Sequence, residues 1–390
     1  MKLRLGIIGA GNIAATHVQN VLEGKCPDIE ITAVADRKES RRRWAQEKLP
    51  GAAIYCEGSE LIAARPCDAV LIAVPHYQHP PLAIEAFRAG LHVMCEKPAG
   101  VYTLQVREMM AEADRHPELT FGMMFNQRTN CVYRKIKELL DAGELGQIKR
   151  VNWIVTDWYR TQFYYDSGAW RATWAGEGGG VLLNQCPHQL DLWQWICGMP
   201  KRVQAHLSYG LWHDIEVEDD VTTFVEYENG ATGVFVTTTG DAHGTNRFEI
   251  QMDGAKLVAE DGRLKLLEYE QLEPEWTKTN TASFATVPCR EVEVELDGEN
   301  PQHVGVINAW GGAILRGEPL VADGREGIQG LTLSNAMHLS AFRGRAVEIP
   351  FDEDAFYDEL MRRAATSRYG ARKAAKAVFS DVSGTYGGNR

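Results

Sequence analysis

Short, mainly apolar runs alternate with helical patterns over the first third of the chain. Leu3–Ile8 and Asp68–Val74 are two such runs, and in Asn12–Leu22 the apolar residues recur at the spacing of a helix. Strands that are apolar on both faces are typical of a parallel sheet covered by helices on both sides. Since the crossovers between parallel strands are right-handed, residues 1–125 are predicted to form a doubly wound parallel sheet of the α/β class.

The pattern changes in the middle of the chain, where the strands become longer and alternate apolar with polar positions. Val221–Tyr227 and Ala231–Thr238 show this alternation, and the Asn229-Gly230 dipeptide between them is a strong signal for a two-residue hairpin turn. Helical patterns return further along the chain. Residues 126–350 are therefore predicted to form a second α/β domain with a large, mostly antiparallel open sheet.

A helical tail is predicted over residues 351–390, and its basic residues lie between Met361 and Lys376. The whole chain is acidic, with 41 Lys and Arg against 53 Asp and Glu and a net charge of −12. Because an acidic surface repels a phosphate backbone, no nucleic-acid partner is expected. The basic stretch is interpreted as a solvated helix face or a contact between subunits.

Neither membrane insertion nor export is indicated by the sequence. No uncharged apolar run approaches the roughly 20 residues of a membrane span, and the apolar N-terminal stretch breaks at Gly9 where a signal peptide would continue. The eight cysteines are irregularly spaced and form no C-x-x-C pair, which favours buried free thiols over disulfides. A cytoplasmic protein without a membrane partner is the expectation.

A glycine-rich turn joins the first predicted strand to the first predicted helix, and Gly9–Ala14 reads GAGNIA. The first glycine permits a tight turn, the second lets the backbone approach a pyrophosphate, and the final alanine allows close packing of helix on strand. The anion then meets free N–H groups at the positive end of the helix. A dinucleotide is therefore the predicted cofactor, in contact with Gly9, Gly11, Asn12 and Ile13.

Asp36 indicates which dinucleotide binds. It ends the second predicted strand, about 20 residues after the glycine turn, where a carboxylate holds the ribose 2′-hydroxyl of NAD and repels the 2′-phosphate of NADP. Arg37 and Lys38 follow directly, and either of them could attract such a phosphate or stack on adenine. NAD is the predicted cofactor, and NADP is the alternative.

Two histidines follow the fourth predicted strand at the carboxyl edge of the sheet, where ligands of such sheets bind. Pro75 and His76 begin this segment, and His76 and His79 have the spacing H-x-x-H. The neighbouring sequence offers no third metal ligand. Contacts to the cofactor and capping of the next helix are therefore favoured over a metal site, and no metal is expected.

A lysine follows the fifth predicted strand at the same edge, in the sequence Glu96-Lys97-Pro98. Because a buried run precedes it and a proline restrains the chain after it, its amine is predicted to point into the cleft. Partial burial beside a nicotinamide cation would lower its pKa, and a neutral amine can take a proton from a hydroxyl. Glu96 is predicted to orient this amine or to contact the cofactor.

A third candidate cluster begins with Gly178–Gly180 and runs through Asn184 to a predicted helix. Pro187 suits the start of that helix, which puts His188 in its first turn and Asp191 one turn further on. Since the helix dipole disfavours a cation at this end, His188 is predicted to be a neutral hydrogen-bonding group or a helix cap.

The chain from Leu3 to about Pro350 resembles the glucose–fructose oxidoreductase, inositol dehydrogenase and rhizopine-catabolism (Gfo/Idh/MocA) family. The resemblance lies in the turn Gly9–Ala14, in Glu96-Lys97-Pro98, in the segment Phe125–Arg128 and in the glycine run that leads to His188. The resemblance implies a Rossmann domain that binds NAD and a C-terminal domain whose open sheet faces the cofactor and forms a homodimer or homotetramer. It also implies an oxidoreductase that acts on the CH–OH group of a small-molecule sugar or polyol. Lys97 is then the catalytic acid/base, and His188 contacts the reacting hydroxyl.

One residue departs from the family pattern. Where the family has an aspartate four residues before the histidine, this sequence has Asn184, and an amide can bind a hydroxyl without sharing its proton. Proton transfer is therefore assigned to Lys97, assisted by His188. The surrounding stretch is similar to a subset of the family that oxidises glycosides or anhydrosugars such as levoglucosan. This similarity implies hydride transfer to NAD from a secondary ring alcohol, at carbon 3 of a pyranose.

Other activities stay open at this point. The same family includes inositol and aldose dehydrogenases, and also glycosidases that retain NAD and eliminate the aglycone through a transient ketone. A sugar–nucleotide sensor without chemistry is the non-enzymatic alternative, although a sensor has no use for the amine of Lys97.

Aromatic residues cluster ahead of the glycine run, and flat apolar rings suit stacking on a pyranose, although a tryptophan is more often part of a core. About half of these aromatic residues are expected to be structural. Arg160 and Arg171 could bind hydroxyls or phosphates, and Arg171 is assigned to the cofactor. The predicted substrate contacts are Lys97, Arg128, Trp153, Tyr165, Asn184 and His188.

Overall fold

The computed structural model of the protein describes residues 2–369. The strands of the first sheet are β1 (Leu3–Ile8), β2 (Ile29–Ala35), β3 (Ala53–Tyr55), β4 (Ala69–Ile72), β5 (His92–Cys95) and β6 (Phe121–Met123). All of them run parallel, in the order β3-β2-β1-β4-β5-β6. This order reverses between β1 and β4, which places a ligand crevice at their carboxyl ends. The predicted doubly wound sheet is confirmed.

Helices cover both faces of this sheet, and alternate strand residues pack into different layers. The helices are α1 (Asn12–Leu22), α2 (Glu39–Lys48), α3 (Gly58–Ala64), α4 (His79–Arg88) and α5 (Thr103–Asp114). Ile8 and its register partner Ile72 belong to one buried cluster, whereas Ile7 and Leu71 belong to the other. The predicted helix Asn12–Leu22 is confirmed as α1, whereas α3 spans only seven residues and begins at a glycine, and the sequence pattern does not predict it.

The second sheet is larger and mostly antiparallel, as predicted. Its strands are β7 (Ile148–Val155), β8 (Arg202–Tyr209), β9 (Glu218–Glu226), β10 (Thr232–Thr238), β11 (Asn246–Met252), β12 (Ala255–Glu260), β13 (Arg263–Tyr269), β14 (Cys289–Glu293) and β15 (Val347–Glu348). Within the described residues their order is β14-β13-β12-β11-β7-β10-β9-β8-β15, with β7 and β10 parallel and the other neighbours antiparallel. The predicted hairpin joins β9 to β10, where Gly230 has a φ of +84°.

Helices cover the inner face of the second sheet. The helices that follow β6 are α6 (Cys131–Asp141), α7 (Gln162–Asp166), α8 (Pro187–Cys197), α9 (Glu273–Thr279), α10 (Gln302–Arg316), α11 (Gly327–Arg343) and α12 (Glu353–Ala365). Trp193 of α8 packs edge-on against Phe235 of β10, which lies in register with Trp153 of β7. This packing holds α8 directly under the sheet, and the loop before α8 faces the first sheet.

One helix of the second half of the chain returns to the first sheet. Val306, Ile307 and Trp310 of α10 are buried in the same cluster as Leu5 and Ile7 of β1. Helix α10 therefore completes part of the core of the first sheet, although the predicted domain division assigns it to residues 126–350. The predicted boundaries of the domains and of the tail stay a prediction.

The structure also bears on the expectations for the cysteines, the basic stretch and membrane insertion. All eight cysteines are free, but Cys56 and Cys289 are exposed, so the expectation of buried thiols is wrong for these two. Arg362 and Arg363 of the basic tail pair with Glu359, and part of this basic stretch lies beyond residue 369, outside the described residues. None of the helices in residues 2–369 is long and apolar enough to cross a membrane. The cytoplasmic location stays a prediction.

Candidate active site

A cleft of about 2140 Å³ lies along the carboxyl ends of the first sheet and continues to loops of the second. Ligand pockets are commonly about 300–1,000 Å³, so this cleft has room for a dinucleotide and a second ligand. Every residue predicted to contact the cofactor lines the cleft, namely Gly9, Gly11, Asn12, Ile13, Asp36, Arg37, Pro75, His76, His79, Glu96, Lys97 and Arg171. Of the predicted substrate contacts, Lys97 and Asn184 line it.

The glycine turn after β1 leaves its backbone accessible. Gly9 has a φ of +94°, and a methyl group there would lie 2.5 Å from the carbonyl oxygen of Ala73, so the fold requires glycine at this position. Gly11 is the N-cap residue of α1, and a methyl group there would meet no atom within 4 Å. The missing side chain of Gly11 therefore leaves the positive end of α1 open, which fits a pyrophosphate.

Asp36 lies directly after β2 and is tied to the glycine turn. Its Oδ2 accepts a hydrogen bond from the N–H of Ala10 at 2.8 Å, and its Oδ1 accepts one from the N–H of Lys38 at 2.7 Å. The neighbouring Arg37 donates from Nε to the carboxylate of Glu57 at 2.8 Å. Because Glu57 offsets the charge of Arg37, this end of the cleft is better suited to a ribose hydroxyl than to an additional phosphate.

The two histidines after β4 are buried, and burial lowers the pKa of both rings, that of His76 well below its ordinary value. Nδ1 of His76 lies 3.2 Å from the carbonyl oxygen of Glu177. The ring nitrogens of His79 each lie 2.7 Å from a carbonyl oxygen, one of Pro98 and one of Val74. His79 therefore links the loops after β4 and β5, and within residues 2–369 no group of His, Cys, Asp and Glu has the geometry of a metal site.

Lys97 lines the cleft, and its amine joins two of the loops that border it. Its Nζ donates a hydrogen bond to the backbone carbonyl oxygen of Asn184 at 2.8 Å, so it spans from the loop after β5 to the loop before α8. Burial lowers the pKa of this amine below its ordinary value, and this effect outweighs the opposing charge of Glu96. A lysine with a lowered pKa supplies a neutral amine, which is the form that accepts a proton.

Glu96 is held from the side of α1. One carboxylate oxygen lies 2.7 Å from Nε2 of His17, and the other accepts the N–H of Lys97 at 3.3 Å. Burial raises the pKa of Glu96, but the hydrogen bond and charge of His17 outweigh it, so the net pKa is lowered. His303 of α10 also lines the cleft, with its ring 5.4 Å from that of His17. The sequence offered no signal for His303, because only the return of α10 to the first sheet brings it here.

The glycine loop before α8 is fixed by a carboxylate from the second sheet. Glu218 of β9 accepts the N–H of Gly180 at 2.8 Å and the N–H of Leu182 at 3.0 Å, and it also lies 3.0 Å from Nε2 of His338. A methyl group at Gly180 would lie 2.0 Å from the carbonyl oxygen of Glu218, so the close approach depends on glycine. The second sheet therefore sets the position of Asn184, four residues further on.

His188 occupies the predicted place in the first turn of α8, but it does not line the cleft and is only 1% exposed. Burial lowers its pKa well below the ordinary value, and the charge of Lys97 lowers it further. The predicted neutral imidazole is therefore consistent with its surroundings. Its contact with a reacting hydroxyl stays a prediction.

Tyr164 of α7 joins several polar side chains at one oxygen. Its phenol oxygen accepts hydrogen bonds from Arg171 Nη1 at 2.9 Å, from Asn184 Nδ2 at 3.2 Å and from Gln185 Nε2 at 3.2 Å. The Arg171 guanidinium also lies 4.6 Å from the centre of the Tyr164 ring. All four side chains line the cleft, so Tyr164 connects the predicted cofactor contact Arg171 to the predicted substrate contact Asn184.

Three residues predicted to contact the substrate do not line the cleft, and the structure contradicts these predictions. Tyr165 is buried and donates to Thr239 Oγ1 at 2.7 Å, while its neighbour Tyr164 faces the cleft. Trp153 is fully buried and stacks on Phe248 with ring centres 4.2 Å apart, so its ring belongs to the core under the second sheet.

Arg128 is the third predicted substrate contact that lies outside the cleft. Its guanidinium forms two hydrogen bonds with Asp191, at 2.8 and 2.6 Å, and donates to Glu326 at 2.7 Å. The side chain is 2% exposed, so its donors are committed inside the protein. A buried arginine with two carboxylate partners is a structural element, and Arg128 does not line the cleft.

Sequence reasoning missed Glu177, which lies behind the cleft and is 1% exposed. Its Oε1 accepts a short hydrogen bond from Nδ2 of Asn184, and its Oε2 accepts one from the N–H of Ala172. Burial raises the pKa of this carboxyl to about 7. A signal was available, because Glu177 is an isolated acidic residue between Gly176 and Gly178 at the start of an apolar run.

Comparison with known proteins agrees with the two-part fold. Residues 3–123 match the model of an oxidoreductase family with an NAD-binding Rossmann fold, and residues 133–258 match the GFO/IDH/MocA C-terminal domain. The chain belongs to the Gfo/Idh/MocA oxidoreductase family. It is therefore an NAD-binding enzyme of a family that oxidises alcohol groups of sugars and polyols, as the sequence implied.

Relatives within the Gfo/Idh/MocA family differ in their substrates. The inositol 2-dehydrogenase of Corynebacterium glutamicum (strain R) is 25% identical over 80% of this chain and 91% of its own length. The D-glucoside 3-dehydrogenase of Escherichia coli (strain K12) is 29% identical over 58% of this chain and 68% of its own length. The WlbA dehydrogenase from Chromobacterium violaceum, solved with NADH and UDP-GlcNAcA, is 29% identical with a TM-score of 0.78, covering 90% of this chain and 97% of its own.

Proposed function

We propose that this enzyme uses NAD to oxidise a secondary ring alcohol, at carbon 3, of a pyranose with a blocked anomeric centre, such as a simple glycoside or levoglucosan. The observation that carries the proposal is the position of the Lys97 amine. Its Nζ lies 2.8 Å from the backbone of Asn184, in the same cleft as the glycine turn and Asp36. This position supports a role for Lys97 as the proton acceptor, between the glycine turn and the neutral side chain of Asn184.

The chain's own residues supply binding and proton transfer. The open N-terminus of α1 at Gly11 would hold the pyrophosphate of NAD, and Asp36 would hold its adenosine ribose. The bound nicotinamide supplies the hydride acceptor. Lys97, whose pKa is lowered by burial, takes the proton of the sugar hydroxyl, and Glu96 keeps the loop of Lys97 in place through the N–H of that residue.

The surroundings of Asn184 favour a neutral sugar. An amide binds hydroxyls without adding charge, and Tyr164 holds this amide from one side at 3.2 Å. Further out, Tyr159 and Phe163 line the cleft although they are 45% and 56% exposed. Flat apolar side chains at a cleft opening suit a pyranose face or an apolar aglycone.

The names of the relatives support the choice of a ring alcohol. One relative is called a D-glucoside 3-dehydrogenase and another an inositol 2-dehydrogenase, and both names describe the oxidation of a ring carbinol. A sugar with a blocked anomeric centre has no anomeric hydroxyl to oxidise. The product would then be a ring ketone rather than a lactone.

A side-by-side assay of NAD reduction tests the proposal. Levoglucosan and methyl β-D-glucoside are expected to reduce NAD faster than free glucose or myo-inositol, and carbon NMR of the product is expected to show a ketone at carbon 3. A lactone product would contradict the proposal. If myo-inositol is the best substrate, the enzyme is an inositol dehydrogenase instead.

We further propose that the outer face of the second sheet forms a homodimer or homotetramer. Phe224 and Ile154 are 39% and 42% exposed on β9 and β7, and Val236 of β10 lies in register with Ile154 between these strands. Phe224→Lys is expected to reduce the assembly size in light-scattering measurements. The control Phe284→Lys changes a side chain that is 99% exposed elsewhere and is expected to leave it unchanged. A monomeric wild type would refute the assembly.

A further inference from the structure

The side-chain amide of Asn184 is held by two groups, of which Tyr164 lines the cleft and Glu177 lies behind it. Its Nδ2 donates to the buried carboxyl of Glu177 and, at 3.2 Å, to the phenol of Tyr164. An ionised carboxylate has only acceptor atoms, so the NH₂ end of the amide must face it. Asn184 itself lines the cleft, and the end left for a ligand is its carbonyl oxygen, Oδ1.

Glu177 is in turn held by a backbone donor with a fixed direction. Its Oε2 accepts the N–H of Ala172, and Ala172 has a φ of +54°, a conformation that residues other than glycine rarely adopt. The N–H of Ala172 always requires an acceptor. A carboxyl in either protonation state, or the amide of a glutamine, is therefore expected to turn an oxygen towards Ala172, and its other polar atom then faces Asn184.

Charged and titratable groups surround Glu177 from several elements. Burial raises its pKa to about 7, and the charge of Glu218 from β9 acts in the same direction. The charge of Arg171 and the hydrogen bonds from Ala172 and Asn184 oppose this shift. Lys97 from the loop after β5 and Tyr165 from α7 interact with its charge, and Nδ1 of His76 from the loop after β4 lies 3.2 Å from its backbone carbonyl oxygen.

We propose that Glu177 is a positioning residue that determines whether Oδ1 or Nδ2 of the Asn184 amide faces the sugar. Protonation of Glu177 turns the amide, so that the other atom faces the cleft. The ionised carboxylate accepts from Nδ2 and leaves Oδ1 towards the cleft. Once protonated, Glu177 keeps one oxygen on the N–H of Ala172 and donates its O–H to Oδ1 of Asn184. The amide is then turned, and Nδ2 faces the cleft.

Tyr164 permits both orientations, because a hydroxyl can accept from Nδ2 or donate to Oδ1. Two other polar side chains beside Tyr164 present donors, since the guanidinium of Arg171 and the amide NH₂ of Gln185 both donate to the Tyr164 oxygen. An acceptor at Asn184 is therefore what a sugar hydroxyl needs here. Turning the amide replaces this acceptor with one more donor and weakens the binding of the sugar.

This inference rests on the proposed function for the identity of the sugar, and it is tested by binding rather than turnover. The dissociation constant of methyl β-D-glucoside is measured calorimetrically with the NADH-loaded enzyme, at pH values on both sides of 7. Since one hydrogen bond is gained, we expect binding to be about three- to tenfold tighter above the titration of Glu177 than below it. A dissociation constant that does not change with pH would overturn the inference.

Glu177→Gln provides the decisive variant. The Gln oxygen must face the N–H of Ala172, so its NH₂ donates to Oδ1 of Asn184 and holds the amide in the turned orientation. We expect weak sugar binding at every pH, without the transition near neutral pH. A transition that persists in this variant would overturn the inference.

Two further variants separate positioning from damage to the fold. In Glu177→Gln combined with Asn184→Asp, a carboxylate accepts from the Gln and offers its second oxygen to the cleft, so tight binding should return. Asn184→Asp alone should also bind the sugar without a transition near neutral pH, because two facing carboxyls at this distance share one proton. Glu177 then stays protonated and donates to the new carboxylate, which offers its second oxygen to the cleft. If neither variant behaves in this way, the amide orientation is not what controls affinity.

An infrared measurement that needs no sugar distinguishes failure of this inference from failure of the proposed function. Difference spectra between acidic and neutral pH should show the C=O band of a buried carboxylic acid in the wild type and not in Glu177→Gln. If this band is missing in the wild type, the inference fails whatever the substrate is. If the band is present and no sugar binds or reduces NAD, the proposed function fails and the titration of Glu177 stands.

Discussion

At the scale of single residues, burial determines the chemistry of the cleft. Lys97 and His188 both have a pKa below the ordinary value because they are desolvated, and each carries less charge than the same side chain in water. Glu177 shows the opposite direction for the same reason, since burial disfavours its charged form. The proposed base is therefore an amine that can be neutral, close to a carboxyl that can be protonated.

Replacement of Lys97 tests its role as the base. Lys97→Met should bind NADH as the wild type does but lose about two to four orders of magnitude in kcat, the usual contribution of a general base. In the wild type, kcat should rise with pH as the Lys97 amine loses its proton, and this limb should vanish in the variant. Lys265→Met, which changes a surface lysine paired with Glu291, serves as the control. Turnover retained in Lys97→Met would remove this residue from the mechanism.

Asp36 should control the choice between NAD and NADP. Asp36→Ser removes the negative charge but keeps an oxygen near the N–H of Ala10, which the aspartate now binds at 2.8 Å. We expect kcat/KM for NAD to fall and that for NADP to rise relative to it, because the repulsion of a 2′-phosphate is lost. Initial rates with both cofactors measure this. A wild type that prefers NADP would show that Arg37 dominates despite its pairing with Glu57.

At the scale of elements, two glycines in one turn have separate roles. Gly9 has a positive φ and no space for a side chain, whereas Gly11 has space and caps α1. The fold therefore requires glycine at the first position of this turn, and at the second position we propose that glycine serves binding of the pyrophosphate. In the glycine loop before α8, Gly180 is likewise required by the fold, because it packs against the backbone of Glu218 with no space for a side chain.

Alanine substitutions should separate these two roles. Gly9→Ala is expected to lower the free energy of unfolding by at least about 1 kcal/mol, because a side chain is strained at positive φ and meets the Ala73 carbonyl. Gly11→Ala should unfold at nearly the wild-type temperature but bind NADH more weakly. Thermal unfolding with and without NADH checks both. Equal NADH affinity in Gly11→Ala would place the pyrophosphate away from α1.

At the scale of the whole molecule, a buried ion pair joins distant parts of the chain. Arg128 follows β6 at the end of the first sheet, Asp191 lies in α8, and Glu326 precedes α11. Burial raises the pKa of Asp191, and the charge of Arg128 opposes this increase. Without the arginine, the carboxyl of Asp191 would remain inside the protein without its counter-charge.

Removal of this arginine should therefore affect stability more than sugar binding. Arg128→Met is expected to cost about 3–5 kcal/mol of unfolding free energy, the usual result of breaking a buried pair from one side. Combining it with Asp191→Asn should recover part of the loss. Urea denaturation measures the stability. A stable Arg128→Met variant with a raised KM for the sugar would restore Arg128 as a substrate contact.

The sequence by itself determined the cofactor side of the cleft. Gly9, Asp36, His76 and Lys97 each follow a strand of a parallel sheet, and the carboxyl ends of such strands meet at one edge whatever the details of packing. The hairpin at Gly230 and the place of His188 in the first turn of α8 were predictable for a similar reason. These features depend on local backbone geometry, which short stretches of sequence specify.

Only the tertiary structure decided the substrate side. The sequence does not tell which of Tyr164 and Tyr165 faces the cleft, because α7 has five residues and too few turns to show a periodic face. Trp153 and Arg128 have the chemistry of ligand contacts, yet their partners in the core come from distant strands and helices. Side-chain direction and burial depend on how the two sheets and their helices pack together, and no local pattern encodes that.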